Sequence, residues 1–366
     1  MKKTLITTAV AAGLLATGAA QADPSVYGIL HLSIDTFSDA HYGPAAGGTT
    51  LLVPDAPEMK SNTSAIGVKG TEDLGGGLKA IYKAEFKVDP FNAARSLERR
   101  DVWLGLKGGW GKIAAGTMST NYKQMGGKID PLYRTAAEAR GILNMQSELH
   151  AGAGTDGQGR AEQQLQYTTP KMAGIELVLN TTVSAVDAGN CQTPTVNGGA
   201  GCDETFGVGI RWSSKRWLLF ADYIDPNQSG TGAFGAPTTG AFLDESAAKI
   251  GGKWSNKAFQ VGAQYEFTED QLGGDYVFLN GLWNINKKNA VTVSYGQQDK
   301  ISSAYNLAYV FSMSKQTNVY AAWGSVEADS NGSYILGADG KPGTGFKQDG
   351  VTPQNDGSVL SLGIRK

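Results

Sequence analysis

The sequence predicts an all-β protein: a sixteen-stranded antiparallel transmembrane β-barrel, with short turns on one edge, long loops on the other and the third long loop folded inward. Three observations predict it. Segments of roughly ten residues alternate apolar and polar side chains over most of the chain. Short turns alternate with long intervals rich in Gly, Asn and Pro. One face of the segments carries Lys69, Lys79, Lys83, Arg99, Arg211, Lys249, Glu176, Asp222 and Glu266, too many charges for a soluble core, while the other ends in Tyr, Trp and Phe.

The N-terminus is expected to be a leader. Lys2 and Lys3 precede an apolar run from Leu5 to Ala20, and Ala20-Gln21-Ala22 fits a small-x-small cleavage site. Residues 1–22 are therefore read as a signal peptide and 23–366 as the barrel. The formal net charge is −2, or −4 once the two leader lysines are gone, which gives no argument for a nucleic-acid partner. No later segment approaches the ~20 apolar residues of a membrane helix. Gly makes up 50 of 366 residues, about twice the usual share, with no collagen period.

The strands follow in order. Val26, Leu30, Leu32 and Ile34 share a face against Tyr27, His31 and Ser33. Ile66 and Val68 oppose Lys69, and the turn Gly75-Gly76-Gly77 leads into the clearest segment, where Leu78, Ala80, Tyr82, Ala84 and Phe86 oppose Lys79, Lys83 and Glu85. Val102, Leu104 and Leu106 oppose Arg99, Asp101 and Lys107, and a short strand from Lys112 runs to Gly116. Leu165 and Tyr167 oppose Gln164 and Gln166; Ile175, Leu177 and Leu179 oppose Glu176 and Asn180. The same pattern recurs through Phe206–Trp212, Trp217–Tyr223, Ala248–Trp254, Phe259–Phe267, Val277–Ile285, Val291–Tyr295, Tyr305–Met313, Val319–Trp323 and Leu360–Ile364, giving sixteen segments. Strands of this length, tilted, cross a bilayer. Lipid leaves no unpaired backbone group satisfied, so such a sheet has to close.

Thr117–Arg160 breaks the alternation. It has Gly-rich ends, both charge signs and helix-forming residues between Tyr133 and Leu149, so a short helix is expected there. Cys191 and Cys202 lie in a polar, Gly-rich interval and are expected to form a loop disulfide in an oxidising compartment. His31, His41 and His150 have no metal-ligand spacing to either cysteine. No nucleophile elbow is present, and the glycine run joins strands rather than opening a helix, so neither an enzyme nor a cofactor is expected.

Several motifs together resemble the Gram-negative general porins of the trimeric, sixteen-stranded type. They are Val26-Tyr-Gly-Ile29, Gly67-Val-Lys-Gly-Thr-Glu-Asp-Leu-Gly-Gly-Gly-Leu78, Val102-Trp-Leu-Gly-Leu-Lys-Gly-Gly-Trp-Gly111, Gln166-Tyr-Thr-Thr-Pro170 with Gly174, and Ser361-Leu-Gly-Ile-Arg365. The chain departs from that pattern twice. It ends at Lys366 where the family pattern closes with a Phe, and the long interval begins Gly116-Thr-Met118 with Asp130-Pro-Leu-Tyr133 as the nearest match to the family's acidic tip.

The resemblance implies an outer-membrane homotrimer amid lipid and lipopolysaccharide, passing small hydrophilic solutes and ions through a water-filled lumen. Residues 117–160 would be the third extracellular loop, narrowing it. Loop carboxylates facing wall cations would set a transverse field. Asp130, Glu138, Glu148 and Asp156 are the candidate loop acids; Lys69, Lys79, Lys83 and Arg99 are the candidate wall cations, with Asp130 facing Lys83 and Arg99 as the leading pairing. The lumen faces carry more basic than acidic residues, an excess the loop acids can offset. The alternatives are an outer-membrane barrel enzyme of the lipase or protease type and a soluble exported all-β binding protein.

Overall fold

A computed structural model describes residues 24–38, 41–45, 49–52, 57–62, 64–91, 97–139, 160–183, 205–225, 246–268, 275–298, 302–328 and 357–366. Residues 1–22, read above as a leader, and Cys191, Cys202, Glu148 and Asp156 fall outside them. The strands are β1 Ser25–Ile29, β2 His31–Ser38, β3 His41–Ala45, β4 Thr49–Leu52, β5 Glu58–Ser61, β6 Ala65–Gly75, β7 Leu78–Lys87, β8 Glu98–Gly108, β9 Gly111–Ser119, β10 Arg160–Thr168, β11 Ile175–Thr182, β12 Phe206–Ser213, β13 Trp217–Asp225, β14 Ala247–Ser255, β15 Phe259–Thr268, β16 Tyr276–Asn284, β17 Asn289–Gln298, β18 Ser302–Ser312, β19 Asn318–Ala328 and β20 Gly357–Arg365. Among the described residues one α-helix, α1, spans Asn121–Ile129. Among the described residues no helix is long and apolar enough to cross a membrane.

Eighteen of these strands form one antiparallel sheet, and β3 pairs with β4 apart from it. From β6 to β20 each described strand of the sheet pairs with the next in sequence. Every alternating segment read from the sequence is a strand, but the expected sixteen become eighteen. Two local features account for the difference. The first strand divides into β1 and β2 at Leu30, where β1 pairs with β6 and β2 pairs with β5 and β20. The short β5 precedes β6. At the junction the amide of His31 donates to the Ser64 hydroxyl at 3.0 Å instead of to a ladder carbonyl, and Asn62 N–H donates to His31 C=O at 2.9 Å.

The faces are inverted relative to a water-soluble protein. Apolar residues stand out into the surroundings, Val26 at 72% and Leu104 at 63% exposure among them, and polar residues such as Ser33, Gln164, Gln166, Asn180 and Thr292 are buried inside. Such a surface is stable against hydrocarbon and not against water.

The tight turns share one edge. Gly75, Gly76 and Gly77 have φ of 83°, 60° and 80°, a run only glycine adopts without strain, and the Asp73 carboxylate accepts from Gly75 N–H at 2.9 Å. Elsewhere side-chain oxygens close the turn. Asn256 Oδ1 accepts from the amides of Ala258 and Phe259, and Asn286 Oδ1 from those of Lys288 and Asn289.

Candidate constriction site

The loop between β9 and β10 enters through α1. Thr120, extended at φ −61° and ψ 162°, caps the helix, its hydroxyl accepting from Lys123 N–H at 3.4 Å. The helix thus lies ahead of the stretch from Tyr133 to Leu149 where it was expected. Residues 140–149 of that stretch lie outside the described residues; before them Pro131 follows the helix end, Arg134 takes φ 65°, and Ala136 and Ala137 are in turns.

Polar contacts fix the start of the loop to the inner wall. Asn121 N–H donates to Asn180 Oδ1 at 2.8 Å on β11, and its side-chain amide donates to Asp222 Oδ1 and Tyr223 C=O, both at 3.1 Å, on β13. Lys249 on β14 donates to the Tyr122 carbonyl, with its ammonium 3.9 Å from the centre of the Tyr122 ring. The Tyr122 hydroxyl donates to Glu266 on β15. Burial, with Glu266 beside it, pushes that phenol well above its ordinary range, so it remains a donor. At the helix end the Ile129 carbonyl accepts from Asn280 at 2.6 Å and Gln260 at 3.4 Å. Gly207 leaves the room that Asn121 fills, since a Cβ there would overlap the Asn121 side-chain oxygen and lie 2.8 Å from Asn180 Nδ2.

Apolar packing carries the loop further round. Met125, Ile129 and Ala139 bury against Phe220, Tyr276, Phe278 and Ala304. Leu132, Ala136 and Ala137 bury against Phe37, Ala308, Tyr320, Ala322 and Val359. Ile129 is 0% exposed; complete burial of such a side chain contributes about 1.5–3 kcal/mol. The described loop therefore follows the inner face from β11 round to β20 and β2.

The remaining wall, from β6 to β10, carries an ion-pair network. Register between β7 and β8 slips between Ala84 and Phe86, so that Arg100 and Asp101 together oppose Glu85. Glu85 accepts from Tyr27 at 2.7 Å and Arg100 at 2.9 Å, and Lys83 lies 3.0 Å away. Asp101 accepts from Lys83 at 2.7 Å and Arg160 at 2.9 Å.

The expected site residues divide accordingly. Lys83 is in this network. Arg99 is not: the bulge sets it opposite Phe86, an exposed outer residue, and it pairs with Glu162, while Arg100 takes the inner place. Strict alternation had put Arg99 inside; a bulge shifts parity by one. Lys69 is exposed, opposite Lys83 in register, with its ammonium 5.2 Å from the Tyr27 ring centre. Lys79 stands at the tight-turn end, opposite Asp73 and Lys107. Asp130 is buried just past α1 and accepts from Leu132 N–H at 2.9 Å; Glu138 is buried and accepts from Arg134 N–H at 2.5 Å. Sequence reasoning missed Arg100, Asn121 and Tyr122, and took Asp222, Lys249 and Glu266 for open lumen charges. The run Glu98-Arg99-Arg100-Asp101, four charges in a row where alternation expects two, was the available sign of an irregular strand, and Thr120 was the available sign of a helix cap.

An antiparallel sheet of this size, apolar outside, polar inside and lined by an inserted loop, defines an outer-membrane β-barrel protein. The sequence profile of the Gram-negative porins matches residues 7–331, and the chain belongs to that family. Major outer membrane protein P.IB of Neisseria lactamica is 27% identical over 224 residues, 61% of this chain and 58% of that protein. P.IB of Neisseria meningitidis is 35% identical over 126 residues, 34% of this chain, so that the match spans 36% of that relative's length. The fold is similar to that of an anion-selective porin from Comamonas acidovorans, with a TM-score of 0.69 at 20% identity over 94% of this chain and 99% of that one. It is also similar to that of OmpT of Vibrio cholerae, with a TM-score of 0.61 at 14% identity over 96% of this chain and 98% of that one.

Proposed function

We propose that this chain forms a water-filled channel through which small hydrophilic solutes and ions diffuse passively, narrowed by the β9–β10 loop. The observation that carries the proposal is the division of the inner wall: the loop is bonded to β11–β16 and packed on to β20, leaving the charged wall of β6–β10 facing it. Solute then passes between a fixed loop and a fixed row of charges, where the field is strongest and water is ordered.

Sixteen spans fit this function. β1 and β2 count as one interrupted strand, and β5 and β6 as another, with β2–β20 pairing as the seam. A homotrimer in lipid and lipopolysaccharide is the assembly we propose with it, following the family, and export by the N-terminal leader precedes insertion. Lys83, with Arg100 in place of Arg99, provides the wall side of the constriction, and Asp130 and Glu138 lie on the loop side.

Planar-bilayer recording tests the proposal. Stepwise currents proportional to salt are expected, with a reversal potential in a salt gradient that moves on Lys83→Ala. Absence of steps contradicts channel formation, and an unmoved potential removes Lys83 from the constriction.

A further inference from the structure

We infer that the tight-turn mouth of the lumen holds a binding site for multivalent oxyanions, formed by Lys79, Lys107 and Lys112. Register places these residues in one row across three neighbouring strands: Lys79 on β7 faces Lys107 on β8, and Lys107 faces Lys112 on β9. They share the inner face with buried Ile81 and Ala114, while Leu104 and Leu106 on the opposite face are exposed.

The arrangement works against folding. Directly opposed side chains in a sheet have Cβ atoms about 4.5–5.5 Å apart, and like charges at that spacing repel. Higher in the same lumen three wall cations meet carboxylates, Lys83 with Glu85 and Asp101, Arg100 with Glu85, and Arg160 with Asp101, while Lys69 lies over the Tyr27 ring. Among the described residues none of the three lysines of the row has a carboxylate within ion-pair distance. Asp73, the acid that continues the row on β6, has one oxygen committed to the Gly75 amide. Glu176 lies within electrostatic reach of Lys112 but lies 3.6 Å from Arg211. Trp103 supplies an apolar floor, its ring centre 5.6 Å from the Lys112 ammonium.

Three ammonium groups spread over roughly 10 Å match an anion with two or three linked charge centres, such as pyrophosphate, better than a single halide. Occupancy relieves the repulsion between the lysines, so binding and stability are linked. The site rests on the channel proposal for access from the tight-turn side. It lies at the other end of the wall from the loop.

The test is single-channel recording of the intact protein in planar bilayers at constant potassium chloride, with sodium pyrophosphate added to one compartment at a time. Block is expected to be stronger from one side. The half-blocking concentration should rise about tenfold or more in the triple variant K79Q/K107Q/K112Q, should be kept within about twofold by K79R/K107R/K112R, and should be kept likewise by Lys253→Gln, which removes an inner cation outside the row. Equal block from both sides, unchanged block in the glutamine variant, or equal loss in Lys253→Gln would each overturn the site. Thermal unfolding in detergent supplies a second readout: the glutamine variant should melt no lower than the parent and lose the stabilisation that pyrophosphate gives the parent. Open-channel steps without block would sink this site alone, whereas missing steps would sink the channel itself.

Discussion

Lys249 grips Tyr122 twice: its ammonium donates to the tyrosine's main-chain carbonyl and lies 3.9 Å from the centre of its ring. The same lysine stands in register between Asp222 on β13 and Glu266 on β15. One cation thus holds the inserted loop and stands between the two acids of the neighbouring strands. Lys249→Met should cost roughly 3–5 kcal/mol, the usual penalty for leaving buried charge without its partner. Urea unfolding in detergent micelles measures it. A loss below 1 kcal/mol would mean that the anchor lies elsewhere.

Gly207 is expected to be intolerant of any side chain. A Cβ there would overlap Asn121 and press on Asn180, so Gly207→Ala should displace the start of α1 and destabilise the protein by about 1–3 kcal/mol. Unitary conductance should change with it, because the loop moves as a unit with its anchor. Unchanged conductance together with unchanged stability would place the helix away from β12.

Two adjacent arginines should behave differently. Arg100 is buried against Glu85 inside, and Arg99 pairs with Glu162 opposite an outer residue. Arg100→Gln is expected to shift the reversal potential in a salt gradient by several millivolts and to destabilise the wall; Arg99→Gln, which removes an exposed ion pair worth about 0–1 kcal/mol, should do neither. Equal shifts in the two variants would refute the bulge.

These two arginines show how far sequence reached. Period-2 alternation located the strands because one face of each must meet lipid and the other the lumen, a constraint acting on every residue pair within a strand. It put Lys83 on the inner face, where Glu85 and Asp101 lie beside it. It failed where one inserted residue reverses parity, as at Arg99 and Arg100, since a bulge leaves hydrophobicity nearly unchanged. It also could not separate a lumen charge that faces water from one covered by the loop: Asp222 and Glu266 looked like Glu176. Phe220, Tyr276 and Phe278 carried the missing information, as apolar residues at inner positions with nothing but an inserted segment to bury them. Helix propensity pointed to Ala136 and Ala137, yet wall packing and the Asp130-Pro131 step kept that segment in turns, and a nine-residue helix with three glycine or β-branched residues formed ahead of it.

Asp130 is expected to act on loop shape more than on charge. Its carboxylate accepts from Leu132 N–H, so Asp130→Asn should retain the turn, while Asp130→Ala should lose about 1 kcal/mol and broaden the open-channel current noise. Identical noise in all three proteins would detach the turn from the aperture.

The inserted loop as the element that sets the aperture is tested most directly by unitary conductance, before and after residues 121–139 are replaced by a short Gly-Ser linker. The intact chain should give discrete steps that scale with salt, and the shortened one should give larger steps with reversal potential closer to zero. No steps from the intact chain, or equal steps from both, would contradict the account.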